Sequence, residues 1–244
     1  MNSFARRAFF ISVLFFGGTG AVAQSTAPLP AARPVFTYRE VTGSATYLST
    51  NAVDTLRNHL HVHNEDRVSV DDYLIDTADN QCVRWTYLPR NGSIHLIVVR
   101  GGSILRLSGT RHSGKDYQRT VKLDSVPWAQ EWMSFLGALA LSKRASATFC
   151  SLVPPTFELA TFVGRVVGEE SMMIDGALVP AVHIRVSFAG RLRLAWHGDY
   201  WFRSRDGRFV RFEGSILPGF PASVFELVEK ASDHQPPHTR KKAK

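Results

Sequence analysis

The chain has 244 residues, 44% of them hydrophobic and 11% aromatic, enough to bury a substantial core. Its formal charge of +8 reflects 29 basic against 21 acidic residues, but Arg6, Arg7, Arg240, Lys241, Lys242 and Lys244 sit at the two ends. The body between them carries only about +2, which excludes the electrostatic footprint of a nucleic-acid-binding domain.

The N-terminus predicts an export signal over residues 1–23. Arg6 and Arg7 precede the apolar run Ala8-Phe9-Phe10-Ile11-Ser12-Val13-Leu14-Phe15-Phe16, then glycines and Ala21-Val22-Ala23, a small-x-small cleavage pattern. The run is too short for a membrane-spanning helix, which needs about 20 residues, and no later stretch is apolar for that length. The arginine pair lacks the Ser before it and the Lys after it that a twin-arginine signal carries, so the general secretory route is expected. No Cys lies near the cleavage pattern, which argues against an N-terminal lipid anchor. A periplasmic or secreted location follows. Residues 24–34 are rich in Ala, Pro, Ser and Thr and read as a flexible leader.

The segment His59-Leu60-His61-Val62-His63 comes next. On a strand, residues two apart share a face about 6.6 Å apart, so the three imidazoles project together. His59, His61 and His63 could then chelate a borderline metal such as zinc, with Glu65 or Asp66 adding oxygen. The other reading is an exposed strand face whose polar residues happen to be histidines.

Two cysteines follow, Cys82 and Cys150. In an oxidising compartment they could form one disulfide, which chain-entropy arguments value at about 4 kcal/mol for a loop of this size. The alternative is two buried free thiols. Neither lies in a CxxC motif.

Strand-like runs recur at Cys82–Leu88, Ser93–Arg100, Ile104–Gly109, Val182–Phe188, Arg191–Trp196 and Phe209–Glu213. Tight-turn pairs separate such runs at Asn91-Gly92, Gly101-Gly102, Asp175-Gly176, Ala189-Gly190 and Asp206-Gly207. Short strands joined this way imply antiparallel meanders. Two stretches depart from this rhythm. Asp124 and Ser125 can cap a helix running to about Ser142, with Pro127 in its first turn and Trp128, Trp132, Phe135, Leu136 and Leu139 on one face. A second short helix is expected around Ala222–Ala231. Residues 233–244, with Pro236-Pro237 and the basic cluster, read as a disordered tail able to make weak, salt-sensitive contact with anionic surfaces.

The expected architecture is therefore mainly β: one domain over residues 35–232, an antiparallel curled sheet (half-barrel or roll) packed on one long helix. An apolar interior lined by Trp132, Leu136 and Trp196 could hold a lipid or acyl ligand. No GxSxG, HExxH, SxxK, phosphate-binding loop or dinucleotide fingerprint is present. The neighbours His112-Ser113, Asp71-Asp72 and Glu169-Glu170 point to opposite faces on strands, which removes them as catalytic pairs.

The segments Gly168–Gly176, Tyr200-Trp201-Phe202 and Asp206–Gly214 resemble an uncharacterised family of exported, β-rich periplasmic proteins of Gram-negative bacteria, over about residues 120–230. The resemblance implies a periplasmic antiparallel fold and brings no catalytic residues. Arg203, Arg205, Arg208 and Arg211 form a basic rim around this hairpin that could meet an acidic ligand or simply solvate an edge. The leading functional expectation is a non-catalytic envelope binding or scaffold protein, with a lipid, acyl ligand or envelope protein as partner. The alternative is a metal-assisted hydrolase built on the three histidines.

Overall fold

Among the described residues, period-two patterning between tight turns produces fourteen strands in a single sheet. The computed structural model describes residues 34–215 and 221–228. The expected signal peptide, nearly all of the leader and the basic tail lie outside those residues. Eight strands come first: β1 (Val35–Thr42), β2 (Ala45–Leu56), β3 (His59–Glu65), β4 (Ser69–Asp76), β5 (Cys82–Pro89), β6 (Ile94–Gly101), β7 (Ile104–Arg111) and β8 (Asp116–Lys122). The helix α1 (Trp132–Leu141) follows, then β9 (Ser146–Val153), β10 (Glu158–Ile174), β11 (Ala177–Phe188), β12 (His197–Arg203), β13 (Phe209–Ser215) and β14 (Ala222–Val228).

The spatial order is β8-β7-β6-β5-β4-β3-β2-β1-β14-β13-β12-β11-β10-β9, antiparallel throughout. Two meanders therefore meet where Thr37 of β1 pairs with Thr50 on one side and Val228 on the other. The sheet curls but does not close, since β8 and β9 share no backbone ladder. Side chains cross the gap instead. Arg119 donates to the Phe157 carbonyl at 3.3 Å and to Glu158 at 2.9 Å, and the rings of Tyr117 and Phe157 lie 6.2 Å apart.

The chain between β8 and β9 runs inside the curl. Residues 127–129 thread between β5 and β9: Trp128 accepts from the Cys82 amide at 3.0 Å, and Pro127 from the Cys150 amide at 2.8 Å. That use of the backbone explains why the helix is shorter than expected from Asp124. It begins only at Trp132, where the Glu131 side chain accepts from the amides of Met133 and Ser134, and it ends at Ser142 much as expected. Trp128, expected on the helix's apolar face, belongs instead to a second core with Trp85, Leu96, Leu107 and Phe157. The helix itself buries Phe135, Leu136 and Leu139 against Phe149, Phe162, Ile184 and Phe202. Gly164 makes room for it, because a β-carbon there would stand 2.9 Å from Leu136 Cδ2.

Two further expectations are corrected. The pair Ala189-Gly190 does not turn into a strand over Arg191–Trp196: Gly190–Leu194 form a 3-10 helix, and the next strand starts at His197. Leu192 and Leu194 are 62% and 88% exposed, so their alternation had no core to face. The segment from Ala222 is strand β14, not a helix. It supplies the rung between β1 and β13, setting Phe225 opposite both Glu40 and Phe212, and tertiary pairing overrides its local pattern.

Candidate ligand-binding cleft

Strict alternation along β2, β3 and β4 sends a polar row into the curl. Asn51, Asn64 and Asp71 are direct register partners across the three strands. Asp71 is 7% exposed and accepts from Ser69 Oγ at 2.5 Å and Trp85 Nε1 at 2.7 Å. Burial pushes its carboxyl up to about 6, against the opposing pull of those two donors. Asn51 and Asn64 differ from it: their buried amide oxygens have no hydrogen-bond partner. Buried polar atoms are almost always paired, so two adjacent exceptions mark a place where acceptor capacity is unused.

Three cavities surround this row and the start of α1. One of about 260 Å³ is lined by Asn64, Tyr73, Glu131, Trp132, Phe162 and Tyr200, among others. A second of about 360 Å³ includes Phe36, Tyr38, Asn51 and Arg208. A third, about 70 Å³, touches both asparagines. Met133 lines all three, so one unbranched side chain partitions a space that runs along the helix.

The wall of the first cavity is aromatic. The Trp132 ring lies 4.6 Å from Phe162 and 6.2 Å from Tyr200, centroid to centroid. Glu131 is the acidic residue in its lining. This carboxylate is 4% exposed, its Oε2 accepts from the Ser134 amide at 2.7 Å, and burial raises its pKa in spite of the amide hydrogen bonds. Among the described residues no Lys, Arg or His lines the cavity.

Of the three interior residues singled out in the sequence, Trp132 lines this cavity. Leu136 and Trp196 are packed into the core at 0% and 4% exposure and are not in its lining. Asn51, Asn64 and Glu131 escaped the sequence reading, and Asp71 entered it only as half of a dismissed pair with Asp72. The available signal was a polar residue interrupting an apolar face, as in Leu60-x-Val62-x-Asn64 and Asp71-x-Tyr73-x-Ile75.

The histidines share a strand face, opposite to the one that carries Val62 and Asn64. His61 Nε2 and His63 Nδ1 both approach Asp72 Oδ1, at 3.1 and 2.9 Å, while His59 stands opposite Asp76 in the register. Among the described residues no three His, Cys, Asp or Glu side chains are grouped so as to hold one metal ion.

Cys82 and Cys150 are free and buried. Of the two readings left open by the sequence, the structure has the free thiols, and the Trp128 segment lies between the two strands that carry them. Two sheet spacings, about 9–10 Å, exceed the roughly 7 Å between α-carbons that a disulfide tolerates.

The basic rim is largely committed to its own carboxylates. Arg203 pairs with Asp206 at 2.6 Å, Arg211 with Glu213 and Glu226 at 2.5 Å each, and Arg208 lies 4.1 Å over the Phe36 ring. Only Arg205 of the four is mostly exposed, at 74%. His183 stacks on Trp201 at 4.6 Å and sits 2.7 Å from Asp199 Oδ1. Burial would raise the Asp199 carboxyl, but hydrogen bonds from Arg185 and His183 outweigh it and hold the group below its usual range. This lattice is self-satisfied and has a structural role.

No protein-family model matches the chain, and no curated protein matches it. Among solved structures, the chain is similar to a β-barrel-like protein of the domain of unknown function DUF1849 from Brucella abortus. The TM-score is 0.58 at 8% identity, over 80% of this chain and 95% of that one. The fold is β-barrel-like. A likeness to the hypothetical lipoprotein YmcC from Escherichia coli K12, at TM-score 0.37 and 14% identity over 81% of this chain and 85% of that one, carries no argument. The first likeness agrees with the β-rich character of the family that the sequence resembles and speaks to the fold alone.

Proposed function

We propose that this is a non-catalytic binding protein of the cell envelope that holds a small ligand with an apolar body in the cleft beside α1. The observation that carries the reading is the cavity at Trp132, whose lining joins aromatic walls to Asn64, a residue whose buried amide oxygen has no partner. Ligand pockets commonly combine mostly apolar walls with a few convergent polar groups, in volumes of about 300–1,000 Å³. The two larger cavities flanking Met133 together fall in that range. The N-terminal pattern of Arg6-Arg7, apolar run and Ala21-Val22-Ala23 supports export. The basic residues at the C-terminus support weak attraction to an anionic envelope surface.

The test is native mass spectrometry of the mature chain purified from the periplasm, followed by denaturing extraction. A bound small molecule, lost from a Trp132→Ala variant that remains folded, is the expected result. A bare polypeptide in both proteins would overturn the reading.

A further inference from the structure

We propose that the ligand of this cleft bears an ammonium head, as an alkylamine or similar organic cation does, held by Glu131 and Asn64 among the walls of Trp132, Phe162 and Tyr200. This rests on the reading of the cleft as a ligand site and adds the chemistry of the ligand's polar end.

Three observations point the same way. The first is charge. Glu131 is a carboxylate at 4% exposure on the cavity wall, and among the described residues no basic side chain lines that cavity or the adjoining 70 Å³ space, Arg208 standing in the 360 Å³ cavity beyond Met133. A buried charge ordinarily has a partner of opposite sign. Two backbone amides of α1 and the Ser134 hydroxyl take most of its acceptor capacity, out of about four positions on a carboxylate, and leave one for a further donor.

The second is hydrogen-bond polarity. Asn51 is 8% exposed, it faces Asn64 in the register, and both amide oxygens lack a donor. The unmet need at this end of the cleft is for N–H or O–H groups. A carboxylate or phosphate head would bring acceptors to acceptors and negative charge to Glu131, so fatty acids and phospholipid heads are disfavoured here.

The third is the wall. Trp132, Phe162 and Tyr200 crowd together with centroid separations of 4.6 and 6.2 Å from Trp132. Aromatic faces attract cations, and more strongly where water is excluded. Carboxylate and aromatic faces together select a cation with an apolar body.

The experiment titrates the mature chain with n-octylamine, 1-octanol and octanoate, read by tryptophan fluorescence, and repeats it for Glu131→Gln. Octylamine should bind about tenfold or more tighter than octanol, with octanoate weakest. In E131Q the amine-to-alcohol preference should collapse to about one. If circular dichroism shows E131Q unfolded, Asn64→Leu takes its place and should lower the preference several-fold. Octanol or octanoate binding as well as octylamine would overturn the ammonium head while leaving the cleft as a ligand site. Binding of none of the three, with a bare chain in native mass spectrometry, would overturn both.

Discussion

Gly137 of α1 lies so close to Gly207 of the β12–β13 turn that a β-carbon on either would meet the other's carbonyl oxygen, at 2.4 and 2.7 Å. The helix that forms one side of the cleft is thus seated backbone to backbone. Gly137→Ala gains about 1 kcal/mol in helix propensity but must force the two segments apart, which costs about 1–3 kcal/mol or more. A net loss in the urea midpoint is expected. An unchanged or raised midpoint would show that the close approach is not made in solution.

Asp71 predicts a pH signature. Its carboxyl is near 3.8 when exposed and pushed up to about 6 in the fold, chiefly by burial. A raised folded value means that its contribution is fully present below about pH 4 and is lost as the pH rises through about 6. Relative to Asp71→Asn, the protein should lose about 2–3 kcal/mol between those limits and then level off. Paired denaturation curves from pH 4 to 8 check this, and a constant difference would refute the raised value.

The thiols should be silent in the native state. Burial raises both, Cys150 to about 11, so little thiolate exists near neutrality. A thiol reagent at pH 7.5 should find none in the folded chain and, after unfolding without reductant, both of the cysteines it contains. Absence of free thiol after unfolding would show a bridge and contradict the position of Trp128.

Glu40 is 2% exposed and receives Arg67 from the β3–β4 turn, with Nη2 at 3.1 Å. Arg67→Ala leaves that carboxylate without its cation and should destabilise by about 1–3 kcal/mol, discounted because Arg67 is partly exposed. Adding Glu40→Gln should recover most of the loss. A double variant as unstable as R67A would mean that packing of Arg67 on Tyr47, at 4.6 Å, mattered more than charge.

The sheet was legible in the sequence because its signals are local. Asn91-Gly92, Gly101-Gly102, Asp175-Gly176 and Asp206-Gly207 each join strands, and Asp175 and Gly176 take the two positive φ angles, 47° and 82°, that such a hairpin needs. What stayed hidden depends on distant partners. Residues 127–129 have helical spacing, yet their backbone is claimed by Cys82 and Cys150. Residues 222–228 carry β-formers such as Val224, Phe225 and Val228 at a spacing that also suits a helix, and pairing with β1 and β13 decides between the two. The cleft was half visible: Trp132 stood out as an aromatic on a helix, but the row of Asn51, Asn64 and Asp71 needs three strands in register before it is a row at all.

The junction of β1 with β14 sets a timetable for the molecule. Chain emerging N-terminus first can lay down β1 to β8, and later β9 to β13, but each meander keeps a raw edge until the residues around Val224 arrive to bridge them. Loop-closure entropy grows only slowly with length, so the late pairing is thermodynamically mild although it is kinetically last. Until then the sheet carries two unpaired edges at its centre rather than at its rims.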